Sequence, residues 1–143
     1  MAKPPESSDH FFLVVVVEFS ESSAGRVVEA LKQEKVAALA LPHAQQLPIA
    51  YEHMRPRVFV VDAEAPGRRE VAMMRTMREK DRTGSLVILL LGAVDEPRLP
   101  VEACELADAY VRKPMDWKKV ARTVVQLANK RKPPSDVVVL PKA

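Results

Sequence analysis

The chain has 143 residues, 48% of them hydrophobic and 29% charged, with a formal net charge of +3. That length suits one domain able to bury its own core, and the composition lies far from the disordered class. Lys and Arg are interleaved with Asp and Glu, which argues against the concentrated basic face of a dedicated nucleic-acid binder; the single cysteine, Cys104, excludes an intrachain disulfide and a cysteine-rich zinc site.

One cysteine also points to a reducing, cytoplasmic setting. Residues 1–10 read as a polar extension, without the basic start and apolar stretch of a secretory signal. The run 11–17, Phe-Phe-Leu-Val-Val-Val-Val, is continuous and rich in β-branched residues, as a central parallel strand covered on both faces must be. It is far too short to cross a bilayer, which takes roughly 20 residues. Ser20, Ser22 and Ser23 offer capping chemistry, and Val27, Val28 and Leu31, with Ala30 beside them, follow at helical spacing.

Residues 35–41 read as a short second strand stopped by Pro42, and 43–54 as a helix interrupted by Pro48. Pro56 introduces a third strand, 58–61, which ends in Asp62. After Pro66-Gly67, residues 70–81 form a helix whose inner face carries Val71, Met74 and Met77 together with Arg78. Thr83-Gly84-Ser85 is a turn into the fourth strand, 86–91. A loop over 92–100 and a short helix over 101–107 lead to a fifth strand, 109–111, closed by Lys113-Pro114. The last helix, 117–130, sets Val120, Val124 and Leu127 inward. Residues 131–143 are basic and then proline-containing, and read as a linker; the alternative is that Val137-Val138-Val139-Leu140 docks on the sheet edge of this domain or of a partner. Strands alternating with helices imply right-handed crossovers and a parallel sheet.

In such a sheet ligands gather at the carboxyl ends of the strands. The residues there are Glu18, Asp62, Glu64, Gly92 and Lys113: three carboxylates, a glycine and a cation. No serine or cysteine stands beside a histidine among them, so the set suits a metal and a phosphate better than a nucleophilic hydrolase. His10, His43 and His53 show no ligand spacing.

These features, in order, resemble the receiver domain of two-component response regulators over residues 11–130. The carriers are an acidic residue ending strand one, Pro56 six residues before Asp62, Pro66-Gly67 shortly after it, Gly92-Ala93 after strand four, and Tyr110 three residues before Lys113-Pro114. The resemblance implies a flavodoxin-like, doubly wound, five-stranded parallel sheet of order 2-1-3-4-5 with helices on both faces. It implies Asp62 as phosphoacceptor for a sensor histidine kinase, Lys113 as the cation that pairs with the phosphoryl oxygens, and a cis bond before Pro114. Mg²⁺ would be the cofactor of a phosphorylatable domain, held by Glu18, Asp62 and the neighbourhood of Glu64. Tyr110 takes the place of the switch aromatic.

Two positions depart from the family pattern. Val17-Glu18-Phe19 supplies one acidic residue where two are usual, and Gly92 replaces the Thr or Ser whose hydroxyl would draw the aromatic inward. The expected function is therefore an atypical receiver acting through protein–protein contacts, not an enzyme beyond its own phosphoryl transfer. The expected interface is the fourth helix, fifth strand and fifth helix, with Trp117 as an anchor and a homodimer as one use of it. A small flavodoxin-like nucleotide-binding or enzymatic domain is the alternative, but residues 18–23 lack the glycines of a phosphate loop. A nucleic-acid-binding adaptor is the other; no recognition motif accompanies it, and a membrane partner is not expected.

Overall fold

The computed structural model describes residues 10–18, 24–41, 47–63, 65–113, 116–133 and 137–140. In chain order they form β1 (His10–Glu18), α1 (Ala24–Gln33), β2 (Val36–Leu41), α2 (Leu47–Met54), β3 (Val58–Asp62), α3 (Arg68–Lys80), β4 (Val87–Gly92), α4 (Val101–Leu106), β5 (Ala109–Arg112), α5 (Trp117–Ala128) and β6 (Val138–Val139). The sheet has the order β2-β1-β3-β4-β5-β6. Its first five strands are parallel, in the predicted 2-1-3-4-5 order, and β6 is antiparallel to β5.

The central strands owe their place to their composition. Val14–Val17, all of Val58–Val61 and Ile88–Leu91 are fully buried, because helices cover both faces of the sheet. Alternate residues divide between two cores. One, on the α2, α3 and α4 side, holds Val15, Val17, Phe59, Val61, Met74, Met77, Leu90 and Tyr110. The other, on the α1 and α5 side, holds Val14, Val16, Val27, Leu31, Val60, Leu89, Val120 and Val124. Each fully buried side chain of this size contributes roughly 1.5–3 kcal/mol relative to exposure, so the two cores dominate the stability.

A sixth strand joins the five predicted ones: residues 138 and 139 pair with Tyr110 and Ala109, so over residues 137–140 the docking alternative holds and the linker reading does not. Unpaired β5 would leave a row of backbone donors and acceptors open, and the tail's apolar run satisfies part of that row. Tyr110 is 1% exposed and belongs to the core on the α2, α3 and α4 side. Strand β6 covers part of the outer edge of β5, and Trp117 is partly buried against the α1 and α5 core. The expected caps at Ser20, Ser22 and Ser23, and the residues Pro42, His43, Glu64 and Pro114, lie outside the described residues. No helix among the described residues is long and apolar enough to cross a membrane.

Candidate functional site

Parallel register brings the strand ends level. Glu18 pairs with Asp62 in the β1–β3 ladder, and Asp62 pairs with Leu91 in the β3–β4 ladder. Gly92 is level with Arg112, and the Lys113 backbone N–H donates to the Gly92 carbonyl at 2.6 Å. The sheet therefore carries Asp62 and Lys113, 51 residues apart, to one point at its carboxyl edge. That point adjoins the β1–β3 boundary, where the strand order reverses and ligands of such sheets bind.

Lys113 Nζ donates to Asp62 Oδ1, closing an ion pair with side-chain exposures of 9% and 0%. Burial at this level removes most solvent screening, so each charge depends on the other. The second carboxylate oxygen, Asp62 Oδ2, is buried and has no hydrogen-bond partner among the described residues. An orphaned carboxylate oxygen is costly and is a natural ligand for a hard cation. In that respect the residues fit Mg²⁺ at one coordination position. No cluster of three or more His, Cys, Asp or Glu suited to a metal occurs among the described residues. The Glu18 side chain and Glu64, the other carboxylates expected to contribute, are outside them.

Next to this pair stands Gly92, and its importance is steric. A β-carbon built there would lie 3.1 Å from the Ala63 carbonyl oxygen and 3.1 and 3.2 Å from Tyr110 Oη and Cε1. The aromatic ring thus occupies the volume that a Thr or Ser side chain would need. Its hydroxyl donates to the Val94 carbonyl, which pins the loop after β4. Arg112 holds the same loop through Asp95 at 3.4 Å. Burial raises the Tyr110 pKa above its ordinary value, keeping the hydroxyl a donor.

A second cluster, missed in the sequence apart from the placement of Arg78 on an inner helix face, braces the other end of β4 and β5. The Arg78 guanidinium donates to the Leu106 carbonyl at 2.9 Å, the Leu86 carbonyl at 2.6 Å and Asp108 Oδ2 at 2.6 Å. Asp108 Oδ2 also accepts the Ile88 N–H at 2.8 Å, and the Asp108 carbonyl accepts the Leu140 N–H at 3.0 Å. A planar five-donor fork can serve three acceptors at once, which explains arginine on a helix face it shares with the buried Met74 and Met77. Only the alternation of one cation with apolar residues on that face hinted at it.

A surface hollow lined by Tyr51, Glu52, Arg55, Glu79, Lys80, Arg82 and Thr83 lies at the amino ends of β3 and β4, away from Asp62. It contains the exposed Lys80–Glu52 pair at 2.8 Å and no convergent set of reactive groups.

No protein-family model matches the chain, and no curated protein matches it. Solved structures do. A receiver domain from Methylobacillus flagellatus superposes with a TM-score of 0.69 at 18% identity, covering 83% of this chain and 99% of that one. A response regulator from Thermotoga maritima gives 0.70 at 18% identity over 82% and 97%. The receiver domain of a signal transduction histidine kinase from Syntrophus aciditrophicus gives 0.68 at 18% identity over 90% and 98%. Strand order, helix placement and these superpositions agree: the chain has the receiver fold of response regulators.

Proposed function

We propose that this chain is an atypical receiver domain that works by protein–protein contact from a conformation set by its sequence. The observation that carries the reading is Tyr110 seated against Gly92. In the mechanism implied by the resemblance, a hydroxyl after β4 binds the phosphoryl group and the aromatic moves inward afterwards. Here the aromatic is inward already, hydrogen-bonded to Val94, with no hydroxyl at position 92 to draw it. The Asp62–Lys113 ion pair then serves structure, joining the ends of β3 and β5.

A second reading rests on Asp62 Oδ2, the oxygen without a partner among the described residues. In it Asp62 is a working phosphoacceptor and a sensor histidine kinase is the partner. The carboxylate oxygen attacks phosphorus, and the bond from phosphorus to the donor's leaving group breaks. Lys113 would shift from the carboxylate to the phosphoryl oxygens. Asp62, Glu18 and Glu64 would hold Mg²⁺, whose contribution when bound is to neutralise charge on the transferring group.

Incubation with acetyl phosphate and Mg²⁺, read by intact-protein mass, separates the two. The first reading expects no phosphoryl-sized gain under conditions that label an ordinary receiver. A gain abolished by Asp62→Asn would overturn it in favour of the second.

A further inference from the structure

The outer edge of β5 is a seat for an extended strand, and the chain fills it with its own end. Residues 137–140 straddle that edge. Val137 is 7% exposed and belongs to the α1 and α5 core, while Leu140 is 4% exposed and belongs to the core on the other face. Val138 stands opposite Tyr110 and packs against that second core; Val139, opposite Ala109, is 56% exposed. The seat therefore reads three positions, apolar at the first, second and fourth, and is indifferent at the third. Main-chain pairing supplies the rest, including the Leu140 N–H donated to the Asp108 carbonyl.

The seat is rigid and its occupant is short. Arg78 fixes Asp108 from α3, and Tyr110 is fixed by Val94. Strand β6 itself is two residues long. Among the described residues it pairs with Ala109 and Tyr110 alone. A two-residue strand at the margin of a sheet is the kind of element that opens locally while the domain stays folded.

We propose that residues 137–140 are a displaceable strap over a strand-accepting site on β5, and that the site's partner is an extended segment of another protein with the apolar-apolar-any-apolar pattern. The tail shows the chemistry of the ligand because it is already seated. A partner segment would enter antiparallel to β5 and release residues 137–140. This inference is independent of whether Asp62 reacts.

The probe is a fluorescent peptide carrying residues 135–141 of this chain, titrated against the full-length protein and against full-length Val137→Asp/Leu140→Asp, whose tail cannot seat. Fluorescence anisotropy should show at least tenfold tighter binding to the variant, and a peptide with Asp for Leu140 should bind neither. Equal affinities, or no binding to a folded variant, would overturn the proposal. Hydrogen exchange on the unmodified chain guards against a misfolded variant. The amides of residues 138–140 should exchange faster than those of β3 and β4, and faster still with excess peptide. Exchange of the tail only together with the core would overturn it. So would a wild-type dimer in light scattering that Leu140→Asp abolishes, which would assign the seat to the tail of a second copy.

Discussion

The contact between Gly92 and Tyr110 can be tested by adding one methyl group. In Gly92→Ala the new carbon would stand 3.1 Å from the Ala63 carbonyl oxygen and 3.1 and 3.2 Å from Tyr110, against a comfortable separation of about 3.5–4.0 Å. Tyr110 is 1% exposed and cannot retreat without disturbing β4 or the Val94 hydrogen bond. Overpacking of this kind costs about 1–3 kcal/mol. Replacing glycine within a strand returns about 0.5–1 kcal/mol by restricting the unfolded chain. Steric cost wins, and the net expectation is a loss of about 1–2 kcal/mol. Tyr110→Leu removes both ring contacts and leaves only the carbonyl, so in that background the same methyl should be nearly neutral. The double-mutant cycle should then show a coupling of about 1 kcal/mol. Urea unfolding followed by circular dichroism and by the fluorescence of the single tryptophan, Trp117, measures all four species. A Gly92→Ala protein as stable as the parent, or one equally destabilised with Leu at 110, would refute the steric argument and with it the seated aromatic.

Three other expectations follow from groups described above. Lys113→Met should destabilise the fold by about 3–5 kcal/mol, since it leaves Asp62 charged and fully buried; adding Asp62→Asn should recover most of that loss in the same unfolding assay. Arg78→Ala strips a charged donor from two carbonyls and Asp108 and should cost about 3 kcal/mol, accompanied by faster hydrogen exchange at Leu140, whose acceptor is the Asp108 carbonyl. Both tyrosines of the chain, Tyr51 and Tyr110, have pKa values raised above 10.0, chiefly by burial. A folded-state pKa above the unfolded value stabilises the fold fully below the unfolded pKa and less as pH rises through the folded one. The midpoint of tyrosinate absorbance in the native protein should therefore lie above pH 10.0, with stability falling as pH rises from 10.0 through that midpoint; a native titration centred at 10.0 would contradict the buried ring.

Much of the architecture could be read from residue order because its causes are local. The unbroken run through Val17 demands a strand covered on two faces, and Asp62, Gly92 and Lys113 each close a strand, so parallel register must bring them together. The features left open or missed are set by neighbours distant in the chain. For residues 137–140 the sequence leaves linker and docking on a sheet edge both standing, and the open edge of β5 with the carbonyl of Asp108 decides between them. Arg78 has the spacing of an inward helix position, but its acceptors come from the ends of β4 and α4 and the start of β5. At Gly92 the missing hydroxyl was visible in the sequence. The space left by the missing β-carbon, and the ring that fills it, were not.

The two margins of the sheet differ in a way that bears on how the protein behaves in concentrated solution. One is partly covered by β6, which pairs with Ala109 and Tyr110. The other is β2, which among the described residues has a strand neighbour on one side only and whose six residues, Val36–Leu41, carry no charge and no proline. Leu39 is 38% exposed there. Natural sheets usually guard such a margin with lysine, proline or a bulge, and here Lys35, Pro42 and the register shift between His10 and Leu13 stand only at the two ends of the strand, leaving its middle uncharged. Colloidal stability should accordingly be limited at β2, and Leu39→Lys, placing a charge on that margin without entering either core, should raise the concentration at which the protein begins to self-associate.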